Sequence, residues 1–237
     1  MSDLESLLAL QARDLALDRL HHQRVTLPER AQLAALRDRL GVLAETHGAQ
    51  QAERDEVAGG EQQLADEAQR LGGQAAAAEQ RLYSGEVSSP KELQALQADV
   101  GQLRRHQREV EDRQLSAMEQ REPVDANLGA LDVDRAALES ETAALERDLA
   151  SREQELDEAA AMERAARDEI AASIDAGLVS EFERRRERGN GVGAARLSGM
   201  TCQGCHLSIP ATEVDRIRKQ GDGPLAFCDN CGCILVP

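Results

Sequence analysis

The sequence predicts two long α-helices, paired as a kinked antiparallel coiled-coil hairpin, followed by a small β-rich module at the C-terminus. Three observations predict this fold. Apolar residues recur at alternating steps of three and four over most of the first 174 residues. Only 1% of the residues are aromatic, too few for an ordinary globular core. All five cysteines lie between Cys202 and Cys233, which points to a separate module there. We therefore place the hairpin domain at residues 1–178 and the small module at residues 179–237.

The first helical seam runs through residues 33–82 at heptad spacing, with mostly Leu and Ala at its positions. Residues 10–27 keep a similar spacing in a different register. Pro28 stands between the two registers, and a proline removes a backbone donor and restricts the residue before it. We therefore predict a break or kink in the first helix at Pro28.

The stretch that follows the first seam carries several turn signals. Gly85 can adopt a left-handed backbone angle and end a helix. Ser89, Pro90 and Glu92 then form a helix start, with the serine as N-cap, the proline at the first helical position and the glutamate closing a capping box. The sequence therefore predicts that the chain reverses at a tip near residues 83–89.

The second seam, residues 93–170, resembles the first in length and composition. Two such seams joined by a tight turn fold most simply as an antiparallel hairpin. Pairing about the tip brings the polar seam residues His47, Gln50 and Arg54 opposite Pro123, where we predict a kink. A different pairing, with a fold-back near Pro123, stays open. We interpret His47 as a tolerated polar seam residue, with a proton switch or metal ligand as the alternative.

Two residues at the tip are candidates for partner binding. Tyr83 and Lys91 flank the predicted turn, and exposed loop tips are frequent contact sites. The alternative is that Tyr83 packs over the turn and Lys91 is merely solvated.

Charge is unevenly distributed along the chain. The net charge is −16, and residues 1–180 hold 20 basic and 37 acidic residues against 8 and 7 in the remainder. An acidic hairpin disfavours nucleic-acid binding by the long helices, because phosphate binding needs a basic stripe. The N-terminus lacks the regions of a signal peptide and no stretch is long and apolar enough to span a membrane, so we expect a cytoplasmic protein.

Basic residues concentrate near the start of the small module. They could bind RNA or an acidic partner, although helical spacing also allows the first of them to pair with Glu181, Glu183 and Glu187. The candidate residues are Arg184, Arg185, Arg186, Arg188, Arg196, Arg216, Arg218 and Lys219.

The cysteines form the strongest motif in the sequence. Cys202 with Cys205 and Cys228 with Cys231 are two C-x2-C pairs separated by 22 residues. Four thiolates complete a tetrahedral Zn²⁺ shell at about 2.3 Å per bond, which we favour over a rubredoxin-like iron site. We leave Cys233 outside the shell, because each C-x2-C turn already closes without strain. A closed shell offers no open position to substrate or water, so we expect no metal catalysis.

The residues around the cysteines indicate a zinc ribbon. Residues 192–197 and 234–236 are strand-like, and residues 210–220 resemble a short helix ended by Gly221. With so small a core, zinc must supply much of the folding free energy of this module.

Taken together, these motifs resemble a bacterial family of coiled-coil proteins with a C-terminal C4-type zinc ribbon. The hairpin motif consists of residues 82–85 followed by 90–93, and the ribbon motif consists of the four cysteines, Gly232 and residues 234–235. Cys233 stands where the family commonly has arginine, and Phe182 stands where an aromatic residue, often tyrosine, is usual. The resemblance implies a kinked hairpin projecting from a zinc ribbon. It also implies a family often described as nucleic-acid binding, some of whose members are adaptors in transcriptional or secretion control.

Two functions are consistent with the sequence. The first is a non-enzymatic zinc-binding adaptor or scaffold that docks protein partners through its coiled coil and zinc ribbon, with possible self-association. The second is nucleic-acid binding, RNA rather than DNA, through the basic residues of the ribbon. An enzyme is disfavoured, because the sequence has no nucleophile with a base, no phosphate-binding glycine loop and no open metal shell.

Overall fold

The computed structural model describes residues 3–220 and 224–237 and contains five helices and three strands within them. The helices are α1 (Asp3–Val25), α2 (Pro28–Tyr83), α3 (Pro90–Ala172), α4 (Ala176–Arg188) and α5 (Ala211–Gln220), and the strands are β1 (Ala194–Ser198), β2 (Thr201–Cys202) and β3 (Ile234–Val236). The chain divides into a ribbon unit, Met1–Ala31 with Leu145–Pro237, and a hairpin unit, Gln32–Ala144. None of the described helices is both long and apolar enough to cross a membrane.

In the hairpin unit, α2 and α3 form the predicted antiparallel coiled coil. Ion pairs between the helices fix the direction: Arg54 Nε lies 3.2 Å from Asp125 Oδ1, and Glu79 Oε2 lies 2.8 Å from Arg104 Nη2. Partner numbers rise on α2 as they fall on α3, which defines an antiparallel arrangement. The predicted hairpin is therefore confirmed.

The buried side chains of the hairpin unit lie at the predicted seam positions. Leu36, Leu71 and Ala75 of α2 are buried, as are Val110 and Leu128 of α3. Heptad spacing keeps one stripe of each helix facing its partner, so the core is narrow and the outer surface stays solvated. This explains how the unit folds with almost no aromatic residues.

The prolines have different effects on the helices. α1 ends at Val25 and α2 begins at Pro28, which confirms the predicted break. α3 continues as one helix through Pro123, so the alternative fold-back does not occur there. The predicted kink at Pro123 stays a prediction.

The chain reverses at the predicted tip. α2 ends at Tyr83, Gly85 has a φ of +79°, and α3 begins at Pro90. The amide of Leu93 donates to the carbonyl of Ser89 at 3.0 Å, which is the first hydrogen bond of the new helix. The left-handed angle at Gly85 explains why a residue without a Cβ stands there.

The sheet of the ribbon unit has the order β2-β1-β3. β1 pairs antiparallel with β2, with Leu197 opposite Cys202, and parallel with β3, with Ala194 opposite Ile234. The strand-like runs that we predicted correspond to β1 and β3, whereas β2, only two residues long, was not predicted. α5 forms as expected, and its predicted stop at Gly221 lies outside the described residues.

α1 packs in the ribbon unit together with α4. Leu7 and Leu10 of α1 are fully buried in one cluster with Phe182 of α4 and Ile234 of β3. α4 begins after Asp175, whose side chain accepts a hydrogen bond from the amide of Leu178. The predicted domain boundary after residue 178 lies inside α4 and stays a prediction.

Candidate metal centre and interaction surfaces

The four cysteines of the two C-x2-C motifs converge in the ribbon unit. Their Sγ atoms all lie within 4.8 Å of one another. The Cys202 and Cys231 sulfurs are 3.9 Å apart, and those of Cys205 and Cys228 are 3.8 Å apart. A tetrahedral ion with Zn–S bonds of about 2.3 Å holds its sulfurs roughly 3.8 Å apart. The four cysteines are therefore positioned for zinc binding.

The two C-x2-C turns have the same backbone hydrogen bond. The amide of His206 donates to the carbonyl of Cys202 at 2.8 Å, and the amide of Gly232 donates to the carbonyl of Cys228 at 2.7 Å. The residue after each motif is left-handed, with φ of +59° at His206 and +74° at Gly232. The fold itself thus shapes both turns that present the thiols.

The thiols differ in acidity. Burial raises the pKa of Cys228 to about 12. Burial also acts to raise the pKa of Cys202, but hydrogen bonds from the backbone of Cys205 and Gly204 and from neighbouring thiols together lower it. The amide of Leu207 acts to lower the pKa of Cys205, but burial and the thiols of Cys231 and Cys202 raise it overall. A metal ion must displace protons from this site, so its affinity depends on pH.

Cys233 lies beside the four cysteines. Its sulfur is 3.7 Å from that of Cys202 and 3.4 Å from that of Cys231. The side chain is fully buried in the ribbon core with Leu197 and Leu235, and burial raises its pKa above that of an ordinary thiol. A thiol packed among apolar side chains can serve as a small core residue, and our placing of Cys233 outside the shell stays a prediction.

The arginines of α4 contact groups of the protein itself. Glu181 accepts from Arg184 at 2.7 Å and from Arg185 at 2.6 Å, and their guanidinium groups lower its pKa. Arg185 also stacks 4.0 Å above the ring of Phe227. Arg186 reaches α1 and pairs with Asp18 at 2.9 Å.

The arginines elsewhere in the ribbon unit have similar contacts. Arg196 lies 3.3 Å from the carboxylate of Glu5, Arg216 pairs with Glu213, and Arg218 donates to the carbonyl of Gly199 at 3.0 Å. Arg188 and Lys219 are exposed. Six of the eight candidate basic residues therefore already have partners within the unit.

At the tip of the hairpin unit, Tyr83 is 83% exposed, and Lys91 is also exposed. The alternative that Tyr83 packs over the turn is therefore wrong. His47 occupies the seam, where its Nε2 lies 3.4 Å from the carboxylate of Asp132. This contact fits a tolerated polar seam residue.

Two buried polar residues of α1 were not found from the sequence. The Gln11 amide oxygen accepts from the backbone amide of Gly193 at 2.6 Å. Asp14 accepts from Arg167 of α3 at 2.6 Å and lies 3.6 Å from Arg186 of α4. The available signal was that both residues continue the apolar stripe of α1, where a buried polar group needs a specific partner.

Comparison with known proteins identifies both parts of the chain. Residues 10–190 match the family model of the CT398-like coiled coil hairpin domain, and residues 201–235 match that of the C4-type zinc ribbon domain. An uncharacterized protein from Mycobacterium tuberculosis, MT2288 in one strain and Rv2229c in another, is 29% identical over 231 residues, covering 98% of this chain and 94% of the relative.

Solved structures show the same fold. A structure from Mycobacterium smegmatis superposes with a TM-score of 0.88 at 26% identity and covers 99% of this chain and 97% of its own. CT398 from Chlamydia trachomatis gives a TM-score of 0.69 at 20% identity, with 98% and 96% covered. The chain therefore belongs to the family of CT398-like coiled-coil hairpin proteins and ends in a C4-type zinc ribbon.

Proposed function

We propose that the protein is a non-enzymatic adaptor that docks protein partners through its coiled coil and zinc ribbon, in the control of transcription or secretion. In this proposal Zn²⁺, held by the cysteines of the two C-x2-C motifs, stabilises the ribbon. Four thiolates fill a tetrahedral shell, so the metal supplies folding free energy and leaves no position for a substrate.

The observation that carries the proposal is the pairing of the ribbon arginines. Arg185 contacts Glu181 and the Phe227 ring, and Arg186 contacts Asp18. A nucleic-acid backbone would have to displace these contacts before it could bind the arginines. Nucleic-acid binding is driven by release of the counterions around the phosphates, and only side-chain cations that can contact phosphate release them. The ribbon surface is therefore a poor phosphate-binding surface, which favours protein partners.

The hairpin unit supports the same proposal. It holds 12 basic and 22 acidic residues, so its net charge of −10 repels nucleic acid. Its tip presents Tyr83, 83% exposed, and tyrosine is enriched at the centres of protein interfaces. We infer that the tip is one docking point and that Tyr83 and Lys91 contact the partner there.

Two measurements separate the adaptor from the nucleic-acid alternative. Capture with the zinc-loaded chain from its own cell lysate should retain defined proteins, and Tyr83→Ala should weaken that retention. Titration with single-stranded RNA and duplex DNA over a salt series should give weak binding that Arg188→Gln with Lys219→Gln does not change. Tight binding with a steep salt slope that these substitutions abolish would instead establish nucleic-acid binding. Retention of no protein would refute the adaptor.

A further inference from the structure

The hairpin unit has a groove on its side, between residues 38–46 of α2 and residues 134–141 of α3. It is open to solvent and has a volume of about 620 Å³. Its apolar lining consists of Val42, Leu43, Ala137 and Leu138. The lining residues recur at steps of three and four over two turns on each helix, roughly 12 Å at 1.5 Å per residue. The groove is therefore long enough to accommodate two turns of another helix.

The apolar surface is wider here than a two-helix coiled coil requires. Leu43, which is half-buried, and Leu138, which is buried, lie at seam positions, whereas Val42 and Ala137 lie outside the seam and are exposed. Val42 is 65% exposed, and Val133, one turn before Ala137, is 69% exposed. Positions that flank a seam usually carry charged residues. Apolar side chains in their place widen the stripe toward a third helix.

Three carboxylates line the groove together with the apolar residues. Asp38, Asp134 and Glu141 are exposed at the groove, with Arg39 as the single cation among its lining residues. None of the three carboxylates forms an ion pair within residues 3–220 and 224–237. Acidic residues elsewhere in the unit do, as Glu61 does with Arg121 and Glu79 with Arg104. The groove therefore combines an apolar surface with three carboxylates and one arginine, a net charge of −2.

We propose that this groove docks an amphipathic helix of a protein partner, with apolar residues on one face and lysines or arginines flanking them. This inference rests on the proposed adaptor function and assigns it a site and a partner chemistry. Helices bind such grooves through apolar anchors at i, i+3 or i+4, and i+7, and flanking cations would meet the three carboxylates. A second copy of the hairpin unit, with its net charge of −10, would bring like charge to the same place. Phosphate would be repelled in the same way.

The test uses the full zinc-loaded chain and a synthetic helical peptide of Leu and Lys with one apolar face. A second peptide carries the same Leu positions with Glu in place of Lys. We expect the basic peptide to bind and the acidic peptide to bind at least about tenfold more weakly in fluorescence anisotropy titrations. The double variant Val42→Gln with Ala137→Gln should bind the basic peptide about tenfold more weakly than wild type. The matched pair Leu115→Gln with Ala126→Gln, exposed on α3 away from the groove, should leave binding unchanged.

Charge is tested separately. The groove variant combines Asp38→Asn, Asp134→Asn and Glu141→Gln. The control variant combines Glu109→Gln, Glu119→Gln and Glu122→Gln, which remove the same charge outside the groove. We expect the groove variant to lose more affinity for the basic peptide than the control variant. Equal effects of the groove and control variants, or no binding of the basic peptide, would overturn the inference. The inference would also be overturned if sedimentation showed a wild-type dimer that the groove variant does not form, because the groove would then serve self-association. If wild type and groove variant retained the same lysate proteins equally, the groove inference would be overturned but the proposed adaptor function would stand. If the wild type retained no lysate protein, the adaptor function itself would be refuted.

Discussion

Asp14 joins three helices of the ribbon unit. Its side chain on α1 is 2% exposed, accepts from Arg167 of α3 at 2.6 Å and lies 3.6 Å from Arg186 of α4. Arg167 also pairs with Glu183. This buried carboxylate favours one arrangement of α1, α3 and α4, because a shift of any of these helices would separate Asp14 from one of its two arginines.

We expect Asp14→Ala to lower the free energy of unfolding by about 2 kcal/mol, since it removes the buried carboxylate that Arg167 and Arg186 share and leaves each guanidinium with more exposed partners only. Urea denaturation of the zinc-loaded chain measures this loss. Asp18→Ala is the matched control: Asp18 also pairs with Arg186 but its side chain is 53% exposed. An exposed pair contributes less than about 1 kcal/mol. Similar losses in the two variants would contradict the role of Asp14.

Cys233 and Cys202 are both fully buried and their sulfurs lie 3.7 Å apart, but we assign them different roles. Cys233→Ala should keep one zinc per chain and lose about 1–2 kcal/mol of stability, as small core truncations do. Cys202→Ala should lose the zinc, because three thiolates leave the shell open. Metal content after gel filtration distinguishes them. Loss of zinc from the Cys233 variant would place that residue in the shell.

At the scale of elements, Pro123 lies in the interior of α3, where proline is unfavourable. A proline in a helix interior lacks an amide for the carbonyl four residues earlier, here that of Glu119. Pro123→Ala should therefore raise the stability of the hairpin by roughly 3 kcal/mol, measured by urea denaturation followed by circular dichroism. Pro28→Ala is the control, since Pro28 begins α2 and proline is well tolerated at a first helical position. A Pro123 variant that is no more stable than wild type would show that the helix compensates for the missing donor.

The elements that could be predicted are those whose signal is local. The seams, the break at Pro28 and the tip at Gly85 depend on spacing within a few residues, and the cysteine pairs depend on a fixed C-x2-C turn. The roles of Gln11 and Asp14 could not be predicted in this way. Their partners lie 182 and 153 residues away, and only the folded chain identifies them. Strand β2 was missed because a two-residue strand has no periodicity to detect.

At the scale of the whole molecule, the candidate metal centre determines how stability depends on pH. The pKa of Cys228 is raised to about 12 in the metal-free fold, whereas a thiol in an unfolded chain has a pKa of about 8.5. The protonated thiol therefore contributes its full stabilisation below about 8.5 and loses it as pH rises toward the folded value. Cys205 and Cys233 are shifted in the same direction, and Cys202 in the opposite one. Three of these four shifts thus make the metal-free ribbon weaker in alkali.

Zinc reverses this dependence. A bound ion requires thiolates, so protons compete with it and stability falls as pH decreases. We expect the chelator-treated chain to unfold at a lower temperature at pH 9.5 than at pH 7.5, and the zinc-loaded chain to unfold at a lower temperature at pH 6 than at pH 7.5. Metal-free Cys228→Ala should show a smaller alkaline decline, because the thiol with the raised pKa is gone. If the loaded and metal-free chains responded to pH in the same direction, the four sulfurs would not be holding a metal ion as thiolates, and the folding role assigned to zinc would fail with them.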